Sequence, residues 1–134
     1  MTNKSVLVKD YMARTVITFK PDTDVLEAIH VLVKNRIAGA PVVDDEGNLI
    51  GMLSEYDCMK VALDAGYHGN WGGPVRDFMH VGVQTVDADM SIVDLAQVFI
   101  KKKLRRFPVM QDTRLVGQIS RRDVLRALEV IAKG

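Results

Sequence analysis

Leu104 to Asp123 reads LRRFPVMQDTRLVGQISRRD. Two arginines, Arg105 and Arg106, lead into a short apolar run, Phe107-Pro108-Val109-Met110. A polar turn covers Gln111 to Arg114. A second apolar run, Leu115 to Ile119, ends at Ser120, and Ser120-Arg121-Arg122-Asp123 has the form of a helix start. Most of this pattern occurs once before, as IAGAPVVDDEGNLIGMLSEYD from Ile37 to Asp57. A stretch written twice in a short chain indicates internal duplication.

The duplication extends outward. Val8-Lys9-Asp10-Tyr11-Met12 matches Val75-Arg76-Asp77-Phe78-Met79, and Pro41-Val42 falls on Pro108-Val109. After one residue is lost in the turn, Gly51, Ser54 and Asp57 fall on Gly117, Ser120 and Asp123. Each copy reads β-α-β-β-α. The β-prone runs Val16–Phe19 and Val83–Val86 come first. Each is followed by a helix with apolar residues at i, i+3, i+4, i+7 and i+8. These are Val25, Ala28, Ile29, Leu32 and Val33 in one copy and Ile92, Leu95, Ala96, Phe99 and Ile100 in the other. Asp24 with Glu27, and Ser91 with Asp94, have the spacing of a capping box. The segments Pro41–Val43 and Leu49–Leu53 form a strand pair, and a helix from Ser54 to about Ala65 closes the first copy. The fold class is therefore α+β, with residues 1–66 as the first repeat, 67–74 as a Gly-rich linker and 75–134 as the second repeat. Trp71 is expected to pin the linker onto the fold.

Composition narrows the function. The 134 residues are 48% hydrophobic and 26% charged, as in an ordinary globular domain. Each repeat alone would bury a marginal core, so the two are expected to share one. No apolar run has the length of a membrane span. Residues 1–5 lack the apolar segment of a secretory signal, and the single cysteine, Cys58, suits a reducing cytoplasm. Net charge is +1, but residues 1–74 hold 7 basic and 10 acidic side chains while residues 75–134 hold 11 and 7. The basic excess in the second repeat suits a local anionic ligand. A nucleic-acid surface on Lys101 to Arg106 is disfavoured, because only Phe107 supplies an aromatic platform in that run.

No catalytic constellation is present. His30, His68 and His80 have no metal-ligand spacing, one cysteine cannot build a zinc site, and there is no phosphate loop or dinucleotide motif. The two Ser-x-x-Asp units remain. Each follows a strand and opens a helix, whose unpaired N–H groups form an anion-friendly pole. An aspartate there can accept from a sugar diol, and arginine's planar fork suits phosphate.

The doubled β-α-β-β-α, the PVV and PVM strands and the Gly-x-x-Ser-x-x-Asp endings resemble a tandem pair of cystathionine-β-synthase (CBS) domains. The resemblance covers Val8 to Leu128. It implies a stand-alone, non-catalytic regulatory module, with pseudo-twofold symmetry, that binds AMP, ADP, ATP or S-adenosylmethionine; from the residues themselves no protein-held metal or other cofactor is expected. It implies two clefts that each draw on both repeats. In one, Asp123 and Ser120 face the ribose, Arg105, Arg106 and Arg122 lie at the phosphates, and Val16, Ile17, Thr18, Ile37 and Ala38 hold the base. The mirrored, weaker cleft uses Asp57, Ser54, Val83, Gln84, Thr85 and Leu104. The first copy has Ala38-Gly39 in place of Arg105-Arg106, so phosphate recognition is expected to differ while ribose recognition is expected to match. Apolar helix surface from Val61, Ala62, Leu125 and Leu128 is expected to remain uncovered in a monomer, and the resemblance likewise implies a homodimer joined through helices and an unidentified effector protein. The alternatives are a docking module with empty clefts and a nucleic-acid-binding surface.

Overall fold

A computed structural model describes residues 6–134. Residues 1–5, on which the expectation of no secretory signal rested and with which the first repeat was expected to begin, lie outside the described residues. The elements in order are α1 (Val8–Tyr11), α2 (Val25–Asn35), β1 (Gly39–Val43), β2 (Leu49–Ser54), α3 (Glu55–His68), a 3-10 turn (Val75–Asp77), β3 (Val86–Asp87), α4 (Ile92–Lys102), β4 (Arg106–Gln111), β5 (Arg114–Ser120) and α5 (Arg121–Ala132). The fold is α+β, as the periodicities imply.

The chain forms two compact units, and they do not follow chain order. One is Ile17–Val83; the other joins Gln84–Gly134 to the chain up to Val16. The leading segment of each repeat thus packs on the body of the other copy. In the second unit α1 docks through Val8 N–H to Met90 O at 2.9 Å and Lys9 N–H to Ala88 O at 3.0 Å, and Ala13 exchanges two backbone bonds with Gln118. In the first unit His80 exchanges the same two bonds with Met52, at 2.9 and 3.0 Å.

These docking points explain one glycine in each motif. A Cβ on Gly117 would stand 2.6 Å from Ala13 O and 2.6 Å from Met12 Sδ. A Cβ on Gly51 would stand 2.7 Å from Met79 Sδ and 3.0 Å from His80 O. The glycine of Gly-x-x-Ser-x-x-Asp is there to admit the docked segment, by close approach rather than by backbone freedom.

The first unit pairs β1 with β2 antiparallel, and Phe19 adds a single parallel bridge to Val42. The second carries a three-stranded sheet, β3 parallel to β4 and β4 antiparallel to β5. The β-prone run at Val16–Phe19 is thus reduced to one bridge, and that at Val83–Val86 to the two residues of β3. There are two cores rather than one, and each draws on both repeats, since Val8 and Met12 join the second repeat's core and Val75 and Phe78 join the first repeat's. Phe19, Val25, Ala28, Leu32, Val42, Leu53 and Val61 fill one; Val8, Ile92, Leu95, Phe99, Phe107, Val109 and Ile119 fill the other. Phe99 and Phe107 meet at 4.8 Å between ring centres, tilted by 50°.

The helical stripes close these cores, except at their last positions. Val33 and Ile100, equivalent in the two copies, are 71% and 76% exposed. Asp24 caps α2 through Leu26 N–H, not through the residue three ahead, and Ser91 caps α4 through Asp94 N–H. Two expectations fail. Trp71 is 67% exposed and lines an open depression with Asp22, Asp24 and Asp64 rather than anchoring the linker in a core. Val61 is buried in its core and is not available to a dimer surface, while Leu125 is exposed.

Candidate functional site

Strand register builds the site. β4 pairs Arg106 with Ser120 across the hairpin, and Ser120 is at once the last residue of β5 and the N-cap of α5. Its hydroxyl accepts from Asp123 N–H, while the Asp123 carboxylate accepts from Ser120 N–H at 2.9 Å and from Ser120 Oγ at 3.0 Å. This is the reciprocal capping box that the Ser-x-x-Asp spacing predicts. Its second effect is positional: it fixes a carboxylate beside Arg106, Gln118 and Ala13. Those residues, with Ser120, line a pocket of about 170 Å³.

Among the described residues the Asp123 carboxylate has one further partner. Arg126 donates to Oδ1 at 2.9 Å and is itself held by Tyr11, through the carbonyl at 3.3 Å and the ring face at 5.6 Å. Burial pushes the Asp123 carboxyl up, but Arg126 and the Ser120 donors outweigh it and hold the group below the usual carboxylate range. An ionised carboxylate with an open flank is a hydrogen-bond acceptor for a ligand hydroxyl.

The other unit repeats this frame with different side chains. Gly39 pairs with Ser54, which caps α3 and shares a capping box with Asp57. The carboxylate receives Ser54 N–H at 2.8 Å, Ser54 Oγ at 2.9 Å, Lys60 Nζ at 3.1 Å and His80 Nδ1 at 2.7 Å. Lys60 also reaches Phe78 O at 3.4 Å, as Arg126 reaches Tyr11 O. An ionised carboxylate only accepts, so Nδ1 of His80 is the protonated nitrogen. The Asp57 side chain is 6% exposed against 19% for Asp123, with a half-exposed imidazole over it. Burial again opposes ionisation, and the Ser54, His80 and Lys60 donors again prevail, so Asp57 too is held below the usual range.

The second unit brings together Asp123, Ser120 and Arg106. Arg105 and Arg122 line a neighbouring groove of about 740 Å³, where Arg106 and Ser120 reappear with an apolar wall of Phe99, Ile100 and Leu128. Val16, Gln84, Thr85 and Leu104 belong to this unit as well, whereas Ile17, Thr18, Ile37, Ala38, Val83, Ser54 and Asp57 belong to the other. The Ala38 carbonyl accepts from Glu55 N–H at 2.9 Å, which sets it at the start of α3. His80 is the residue that motif reading missed. Its signal was in the repeat alignment, where it replaces Ala13.

Other reactive groups are accounted for locally. The Cys58 thiol is pushed up by burial and by Asp57 and Glu55, which keeps it protonated at neutral pH. Asp44 accepts from the N–H groups of Glu46 and Asn48 and caps its own hairpin turn. Among the described residues, no helix is long and apolar enough to cross a membrane.

A profile of the CBS domain matches residues 8–64 and 75–130. The uncharacterized protein MJ1426 of Methanocaldococcus jannaschii is 29% identical over 92% of this chain and 91% of its own length. Several other relatives are longer, and the chain spans less than two thirds of them. The crystal structure of CBSX2 in complex with AMP, a CBS-pair protein of Arabidopsis thaliana, is similar with a TM-score of 0.79 and 31% identity, over 95% of this chain and 98% of that one. The CBS domain pair of protein MJ0100, in complex with 5'-methylthioadenosine and S-adenosyl-L-methionine, gives a TM-score of 0.70 and 27% identity, over 94% and 98%.

Proposed function

This chain belongs to the CBS-domain family as a tandem pair, and from that premise we propose that it is a non-catalytic regulatory module that binds an adenosine-containing ligand at the Asp123 pocket and signals its level to an effector protein. The observation that supports this most is the pocket itself. An ionised, partly open carboxylate at a helix start lies beside an exposed arginine, Arg106, with a serine, a glutamine and an alanine completing the wall. Asp123 accepts from the ribose diol. Arg106 meets the phosphate, with Arg105 and Arg122 in the adjoining groove. The complexes of CBSX2 with AMP and of the MJ0100 pair with sulfur-containing adenosyl compounds support the same ligand class.

A thermal-shift screen tests the reading. A ligand at 100 times its Kd adds about 2.7 kcal/mol to the native state, which raises Tm by several degrees in a domain of this size. AMP, ADP, ATP or S-adenosylmethionine should give such a shift, GTP should not, and Asp123→Ala should abolish it. No shift with any adenosine compound would favour a docking module with empty clefts. Steady turnover of ATP or AMP, lost on Asp123→Ala, would overturn the non-catalytic assignment.

A homodimer is the second part of the proposal, favoured by α3. Tyr56, Met59, Leu63 and Tyr67 recur at helical spacing, and each is between 64% and 84% exposed. Such a stripe on a surface helix is suited to a partner helix. Light scattering should give a dimer mass at micromolar concentration, and Met59→Glu with Leu63→Glu should give a monomer. A monomeric mass for the unaltered chain would count against it.

A further inference from the structure

The Asp123 pocket and the surroundings of Asp57 are built on one frame from matching sequence positions. Ala13, Arg106, Gln118, Ser120 and Asp123 of one unit correspond to His80, Gly39, Met52, Ser54 and Asp57 of the other. The frame is preserved in detail. Both serines pair across the hairpin with the arginine or glycine position, and both docked segments exchange two backbone bonds at the alanine or histidine position. Because the backbone is held in common, the contents of each pocket are set by side chains. At the docked position one unit has a methyl group and the other an imidazole.

We propose that His80 is a built-in occupant of the Asp57 pocket, a specificity-determining residue that takes the place of a ligand hydroxyl and limits this chain to one adenosine ligand, held at Asp123. This rests on the reading of the Asp123 pocket given above. Three observations support it. His80 Nδ1 donates to Asp57 Oδ2 at 2.7 Å, the shortest bond to either aspartate. That oxygen already receives the Ser54 N–H and hydroxyl, so three donors fill it, whereas the matching oxygen of Asp123 receives two among the described residues. The imidazole is half exposed while the carboxylate it bonds is nearly buried, with Lys60 on the other oxygen, so His80 holds the Oδ2 side of Asp57. A diol approaching Asp57 must displace a charge-assisted bond that is already made, at no entropic cost to the protein, before it gains one. At Asp123 the alanine leaves that approach open.

The inference makes the missing arginine at Gly39 a secondary difference. Phosphate affinity is irrelevant at a pocket whose ribose position is taken. It also predicts that the two sites interconvert by exchanging one side chain.

Calorimetry with AMP on five proteins tests this, with circular dichroism to confirm that each is folded. The unaltered chain should bind one equivalent. His80→Ala should bind two, and His80→Ala with Asp57→Ala should return to one. The reciprocal Ala13→His should weaken AMP binding at least tenfold, and it decides alone if His80→Ala does not fold. One equivalent in both the unaltered chain and His80→Ala, with Ala13→His unchanged, overturns the inference and leaves the Asp123 reading standing. Two equivalents in the unaltered chain, one lost on Asp57→Ala, also overturn it. AMP binding by none of the proteins removes the Asp123 reading and the inference together.

Discussion

The unit containing Asp123 and the unit containing Asp57 share a backbone plan and differ in what fills it. Both have a hairpin that ends on a serine N-cap, an aspartate in the first helical turn, and a basic residue one turn on, Arg126 or Lys60, that ties the carboxylate to the docked segment. Differences fall at positions facing the carboxylate and at the hairpin's inner face. Phe107 of one unit stands where the other has Ala40, and Ala13 stands where the other has His80. A capping box is a structural need of both units, so its presence twice says little about ligand. The side chains around it, which folding leaves free to vary, carry the functional information.

The largest contrast to break is at Phe107. It is 1% exposed and packs on Phe99, and Phe107→Ala gives this unit the residue that its counterpart already has. The other unit closes around its alanine, but this one would be left with a void, so a loss of about 3–5 kcal/mol is expected. Denaturant unfolding measures it. A loss below about 1 kcal/mol would show that the core around Phe99 collapses as readily as the other does.

The motif glycines give a smaller contrast. Gly117→Ala drives a methyl into the Ala13 carbonyl, which is backbone, while Gly51→Ala meets chiefly the thioether of Met79, which can move. Overpacking of this kind costs about 1–3 kcal/mol. Gly117→Ala should lie at the upper end and Gly51→Ala at the lower. Equal losses would mean that α1 and its counterpart yield to the same degree.

Acid should act on both units. Asp57 and Asp123 are held below the usual carboxylate range by their donors. The stability they lend is therefore complete above the unfolded value of about 4 and is lost as pH falls through their lowered folded values. A profile of Tm against pH should fall below about pH 4, and Asp57→Asn or Asp123→Asn should flatten that fall. A fall of undiminished slope in both variants would place the acid sensitivity elsewhere.

The smallest effect is expected to be the same in the two units. Arg36 and Lys103 occupy equivalent helix C-caps in left-handed conformation, at φ of 56° and 54°. Glycine is at ease there, so Arg36→Gly and Lys103→Gly should each stabilise by about 0.5–1 kcal/mol. Unequal gains in thermal unfolding would show that one cap side chain makes a contact worth keeping.

Much of this was legible in the sequence. The helical stripes found Val25, Ala28 and Leu32, and Ile92, Leu95 and Phe99, because a 3.6-residue period reports local burial directly. The Ser-x-x-Asp boxes were found because their bonds span three residues. What escaped involved distance along the chain. The His80–Asp57 bond joins residues 23 apart, and the alignment that pairs His80 with Ala13 does not say what the imidazole touches. Self-similarity revealed that there are two copies, but not that each leading segment packs on the other copy's body. Val33, Ile100 and Val61 missed their assigned faces because of tertiary context, which periodicity does not contain.

That exchange of leading segments also imposes an order of events during synthesis. The unit from Ile17 to Val83 is contiguous, so all its partners exist once Val83 has left the ribosome. The other unit is closed by bonds such as Arg126 to Tyr11, which span 115 residues, so α1 must wait for nearly the whole chain. Long-range closure of this kind is slow, and units of a chain fold as they emerge. Pulse-labelled hydrogen exchange on stalled nascent chains is expected to find Val42 and Leu53 protected while Val109 and Ile119 still exchange; simultaneous protection would argue that the bodies fold as one.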